Sequence, residues 1–171
     1  MDLENFKKFI ESVAFFKEFS DHEKNKLAGD RNTFKQFQKG SNIFIQGDNG
    51  SSLFIVLLGS IELIKICDAV GQEGRVSLKK EEEKTVGELE TGSVFGEISM
   101  LTGRKRSVTA RVVSAKAVVM EISDRLVEGL IPSIQAKFHK QLLVTIVQDL
   151  GDINVRYMKL QSNVGVVTGL S

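Results

Sequence analysis

The chain has 171 residues, 42% of them hydrophobic and 26% charged, a length and composition that fit one globular domain able to bury a substantial core. With 23 Lys and Arg against 22 Asp and Glu, the net charge of +1 gives no global attraction to nucleic acid or to an acidic membrane surface. The strongest apolar run, residues 53–58, is far shorter than the roughly 20 residues of a membrane-crossing helix, and a single cysteine, Cys67, excludes an internal disulfide and fits a reducing, cytoplasmic setting.

The start of the chain is amphipathic and acidic, unlike a basic leader followed by an apolar block. Leu3, Phe6, Ile10 and Val13 recur at helical spacing and predict a helix from residue 3 to about 16. Ser20-Asp21-His22-Glu23 has the capping-box pattern, in which a hydroxyl and a carboxylate close free backbone donors, so a second short helix should run through Leu27. From about residue 32 the period changes. Runs rich in Ile, Val, Phe and Leu at 33–37, 42–46, 53–58 and 61–67 are separated by Gly47-Asp48-Asn49-Gly50 and Gly59-Ser60, residue types that suit tight turns. Further strands are expected at 75–78, 85–89, 107–113 and 117–122, and this many short strands indicate a sandwich, jelly roll or barrel. The charged stretch 68–84, with Lys79-Lys80-Glu81-Glu82-Glu83-Lys84, reads as a solvated hairpin. After Ser123 the helical period returns. Leu143, Ile146, Leu150, Ile153, Tyr157 and Leu160 form a heptad-like seam that either folds back on the domain or pairs two copies. Pro132 should separate this helix from a short one before it, Gly151 is a weak point, and 161–171 looks like a frayed tail.

The segment from Gly92 to Ala110 stands apart: GSVFGEISMLTGRKRSVTA. A strand should end at Phe95, Gly96 should open a short helical turn whose first backbone N–H groups are unpaired, and Arg106 arrives nine positions after Glu97. Backbone donors with a guanidinium form an anion site, and glycine at 96 lets a ligand approach the main chain. His22 and His139 fall on expected helices away from the strands, so no convergent metal set is expected. Cys67 has no base partner and reads as a small core residue, and no recognisable nucleophile motif supports catalysis.

Phe95-Gly96-Glu97 and Arg106-Ser107-Val108-Thr109, with the turn between them, resemble the phosphate-binding cassette of cyclic-nucleotide-binding domains. These occur in the regulatory subunit of cyclic-AMP-dependent kinase, the catabolite activator protein and cyclic-nucleotide-gated channels. Gly40, Ile43-Phe44, Gln46-Gly47-Asp48, Leu53-Phe54-Ile55-Val56 and Gly59 match the family's early strands and turns, so the resemblance covers roughly residues 4–160. Lys105 stands where the family usually has proline, and Val108 where alanine is common.

The resemblance implies a mainly β fold, a double-stranded β-helix or jelly-roll barrel with N-terminal and C-terminal helices. It implies one domain over 1–171: N-terminal helices 3–28, barrel 32–122 with cassette 95–109, C-terminal helices 123–160 and tail 161–171. It further implies a non-enzymatic sensor of cyclic AMP or cyclic GMP, without cofactor or metal, that couples occupancy to its C-terminal helices. Arg106 would neutralise the cyclic phosphate, Glu97 would accept from the ribose 2′-hydroxyl, and Ser107 would donate to a phosphate oxygen. Gly96, Ile98 and Ser99 would supply backbone donors, and Val86 is a candidate to pack on the base. A homodimer through the C-terminal helix and an unidentified effector are the expected partners. Nucleic-acid binding by this chain alone and membrane association are not expected. The rival expectation is the same fold as an interaction or dimerisation module with no ligand, and a regulatory piece of a larger protein is a third.

Overall fold

The computed structural model describes residues 9–11, 13–27, 33–68 and 81–167. Leu3, Phe6, the expected strand at 75–78 and the last residues of the tail, 168–171, lie outside them. Residues 9–11 are helical, but the expected continuation to residue 16 is corrected at Val13, whose backbone is extended (φ −87°, ψ 122°). A single 3-10 turn, Ala14–Phe16, follows. Helical spacing registers which residues are buried, and Ile10 and Val13 both are, yet it does not register where the backbone bends. Phe15, Phe16 and Phe19 form a buried cluster with ring centroids 5.2–6.3 Å apart. Helix α1, Asp21–Leu27, starts on the expected capping box: Ser20 N donates to the Glu23 carboxylate at 2.7 Å, and Glu23 N donates to Ser20 Oγ at 3.3 Å.

The strands are β1 (Phe34–Gln38), β2 (Asn42–Phe44), β3 (Ser52–Leu58), β4 (Ile61–Asp68), β5 (Glu81–Leu89), β6 (Val94–Phe95), β7 (Thr109–Val112) and β8 (Lys116–Ser123). They make two antiparallel four-stranded sheets, ordered β1-β8-β3-β6 and β2-β7-β4-β5, the jelly-roll architecture expected from sequence. Inner faces of both sheets meet in one cluster of Phe44, Phe54, Val56, Ile61, Phe95, Ala110, Val112, Ala117 and Val119. Fully burying such side chains contributes roughly 1.5–3 kcal/mol each. Leu53, Ile55 and Leu57, on the opposite face of β3, are also fully buried, which is why this strand reads as a continuous apolar run rather than an alternation.

The charged stretch Glu81–Lys84 is the start of β5, in register with Lys65–Asp68 of β4. Arg111 of β7 clasps Glu83 with two bonds of 2.9 and 3.0 Å and approaches Glu62 of β4 at 3.9 Å, so one side chain ties three strands. That hydrogen-bonded pairing lowers the Glu83 pKa and raises that of Arg111. Cys67 is only partly buried on β4, which corrects its assignment to the core.

Two short helices bracket the end of the β structure: α2, Glu97–Thr102, and α3, Asp124–Glu128, capped where Leu126 N donates to Ser123 Oγ at 3.3 Å. Residues 1–130 form one compact unit and 131–171 a second. The second contains α4, Pro132–Val167, which begins at the proline as expected. It runs through Gly151 and on to Val167, correcting the weak point there and the frayed tail from 161. Glycine costs about 1 kcal/mol, too little to stop a helix whose propagation adds one bond per residue on either side. Leu143, Leu150, Ile153 and Tyr157 of the seam are exposed. Among the described residues, no helix is long and apolar enough to cross a membrane.

Candidate functional site

Arg106 is the centre of the site, and its position is set first by its backbone. Arg106 N donates to Asp48 O at 2.8 Å and Gly47 N donates to Arg106 O at 2.9 Å, so the turn after β2 holds the residue from both sides. Asp48 Oδ2 in turn accepts from Ile45 N at 2.9 Å. One step on, Lys65 Nζ donates to Ser107 O at 2.7 Å and Thr109 Oγ1 accepts from Gln46 N at 3.0 Å. The basic run Arg104-Lys105-Arg106 therefore ends in a residue whose main chain is fixed.

Its side chain turns inward. Arg106 is only 4% exposed. Nη1 donates to Gly96 O at 2.7 Å, and Nη2 donates to Ser52 O at 2.8 Å and Ser52 Oγ at 3.3 Å. The guanidinium lies 4.4 Å from the Phe44 ring centroid and 5.4 Å from that of Phe54. Phe44, Phe54 and Phe95 form a three-ring platform with centroids 5.4–5.8 Å apart. Bonds to a charged group are worth about 1.5–3 kcal/mol each and a desolvated cation over a ring about 2 kcal/mol. Together they offset a desolvation penalty of several kcal/mol. Nε is buried and has no hydrogen-bond partner among the described residues. Burial lowers the Arg106 pKa, while the carboxylates of Glu121, Glu97 and Asp48 act to raise it.

Two glycines make room for this arrangement. Gly96 has φ +78°, a left-handed conformation that disfavours other residues, and a Cβ there would lie 2.6 Å from Arg106 Nη1. At Gly50 a Cβ would lie 2.3 Å from Arg106 Nε. Gly96 is the N-cap of α2 and Gly103, also left-handed, closes it, its N–H donating to Ser99 O.

The structure thus brings Gly96, Glu97 and Arg106 together as the sequence predicted, with Ser107 exposed beside Arg106. Ser99 is buried at 3%, whereas Ile98 is 51% exposed. Val86 sits on β5 where its register with β4 shifts, 57% exposed and so outside the packed core. Ser52, Gly50, Phe44 and Glu121 also meet Arg106, and none of them was assigned to the site from sequence. Their link to Arg106 runs across up to 62 positions and is made in part through main-chain atoms, which leave no side-chain signal. Gly50 was legible only as part of a turn.

This geometry can be set beside known proteins. The chain is 28% identical over 110 residues to the cAMP-dependent protein kinase regulatory subunit of Mycosarcoma maydis, a stretch covering 64% of this chain and 18% of that relative. It spans less than a third of the length of the curated relatives it matches. Its fold is similar to a cyclic nucleotide-binding domain from Methylobacillus flagellatus, with a TM-score of 0.67 and 20% identity over 91% of this chain and 82% of the other. It is also similar to the regulatory subunit of a cAMP-independent protein kinase A from Trypanosoma brucei, with a TM-score of 0.60 and 21% identity over 83% and 44% of the two chains. The family model for the cyclic nucleotide-binding domain matches residues 34–133, from the first strand through the cassette to the start of α4. With that match over more than half its length, and the Gly96–Arg106 arrangement in the middle of it, the chain belongs to the cyclic nucleotide-binding domain family.

Proposed function

We propose that this chain binds a cyclic nucleotide monophosphate, cyclic AMP or cyclic GMP, as a non-catalytic sensor. The observation that carries the proposal is a buried arginine with an unsatisfied donor. Arg106 is a cation held in a low-dielectric setting beside Gly96, and its shielded Nε–H lacks an acceptor among the described residues. A phosphate oxygen supplies both the acceptor and the opposite charge, and the planar guanidinium suits phosphate better than an ammonium does. In this reading Glu97 accepts from the ribose 2′-hydroxyl and Ser107 donates to a phosphate oxygen. Backbone N–H groups of Gly96, Ile98 and Ser99 complete the cradle, and Val86, exposed on β5, is open to contact with the base.

Residues 1–171 act in this proposal as one sensing domain whose C-terminal helices report occupancy, and two copies pair through the exposed apolar positions of α4. The ligand biases the helices only by its differential affinity for their two arrangements. Nucleic acid and membrane are not partners in it, the setting is cytoplasmic, and the effector is a separate protein surface.

One observation favours a second reading, a ligand-free interaction module. Both Nη groups of Arg106 are already taken by the protein's own Gly96 and Ser52, so the arginine also serves as a clamp within the fold. Thermal unfolding separates the two. A ligand that binds only the native state at a hundredfold excess over its Kd adds about 2.7 kcal/mol of stability. Cyclic AMP or cyclic GMP is expected to raise Tm by several degrees while linear 5′-AMP and 5′-GMP do not. No shift with either cyclic nucleotide favours the module.

A further inference from the structure

We infer that Glu121 is the internal counter-anion of Arg106, coupled to it through the Ser52 hydroxyl, and that its charge sets how strongly the guanidinium attracts a ligand phosphate. The inference rests on the reading that Arg106 takes the phosphate. Ser52 begins β3 and Glu121 lies on β8, and the register Ser52↔Ser123 and Phe54↔Glu121 makes the two diagonal neighbours across the strand pair. Ser52 Oγ donates its one hydrogen to Glu121 Oε1 at 2.9 Å. That leaves its lone pairs for Arg106 Nη2 at 3.3 Å. The carboxylate thereby orients the hydroxyl as an acceptor for the guanidinium. Its other oxygen, Oε2, is 3.9 Å from Lys35 Nζ on β1, a contact with the lysine 45% and the glutamate 32% exposed.

A four-residue chain of alternating character therefore runs from the surface to the site: ammonium, carboxylate, hydroxyl, guanidinium. Of the carboxylates that offset the burial of Arg106, Glu121 acts most strongly, ahead of Glu97, the residue of the cassette itself. A ligand phosphate and Glu121 compete for one cation. Glu121 is a positioning residue in this scheme: it reaches the ligand only through Arg106.

Glu121→Gln keeps an oxygen that can accept from Ser52 Oγ and removes the charge. Titration calorimetry of the full chain with cyclic AMP and cyclic GMP is expected to show binding about three- to tenfold tighter in Glu121→Gln, with a lower Tm because the buried guanidinium loses its counter-charge. Opposed movements of affinity and stability are not what a merely structural glutamate produces. Because the coupling is partly buried, the gain is expected to persist from about 0.15 M to about 0.5 M salt. Unchanged or weaker binding in the folded variant, or a gain that vanishes at the higher salt, overturns the inference. Should Glu121→Gln fail to fold, Lys35→Met on the exposed side reports with the opposite sign: binding weakens, and no change overturns. If the unmodified protein binds neither nucleotide, the functional reading fails, and the coupling is judged on the ligand-free protein by NMR. Faster solvent exchange of the Arg106 guanidinium protons in both Glu121→Gln and Ser52→Ala supports it, and equal exchange overturns it.

Discussion

The guanidinium of Arg106, a residue only 4% exposed, lies over Phe44 and Phe54 and is held by carbonyl groups from two different parts of the chain. The side chain leaves no room for a Cβ at Gly50 or Gly96, and Gly50 is the tighter case. Its φ is not left-handed, so alanine there costs nothing in backbone conformation, and the entire penalty is steric contact with Arg106 Nε. An exposed arginine would swing aside, but this one can yield only by giving up bonds to Gly96 and Ser52. Gly50→Ala is expected to lower stability by about 1–3 kcal/mol in urea denaturation and to weaken nucleotide binding more than tenfold. A variant as stable as the original, with the same affinity, would show that Arg106 moves freely. Gly96, Glu97 and Arg106 were legible from sequence because they sit within ten positions of one another in one recognisable segment. Ser52 was not, since it holds Arg106 largely through its backbone oxygen from 54 positions away.

At the level of elements, period and punctuation located most strands to within two residues, and the capping box at Ser20–Glu23 formed as read. β5 was the main exception, beginning four residues before the expected 85, because an unbroken run of charged residues carries no apolar signal while edge pairing to β4 still satisfies the backbone. Helix ends were less legible. The bend at Val13 and the continuation of α4 past Gly151 both turn on cooperative backbone bonding rather than on any one residue. The heptad spacing predicts an apolar seam along α4, and Leu143, Leu150, Ile153 and Tyr157 of it are exposed in the single chain. Pairing of two copies along this row is expected to give a sedimentation mass of twice 18.9 kDa, and Leu150→Glu to return it to one chain. A single-chain mass for the unmodified protein at high concentration would exclude pairing through α4.

For the whole molecule, the two-sheet fold, the cassette and the family agree, and the family assignment holds whether or not a ligand binds. Function depends on a narrower matter: whether the cation at the centre is a receptor or only a clamp. Three or four charge-assisted bonds, less the cost of ordering the cradle, correspond to micromolar affinity, about −8 kcal/mol. Isothermal titration of the full chain with cyclic AMP and with cyclic GMP tests this most directly. Saturable heat at one site per chain with a Kd near about 1 μM for at least one of them is expected; a folded protein that gives no heat with either would contradict the assignment of Arg106 as a phosphate receptor.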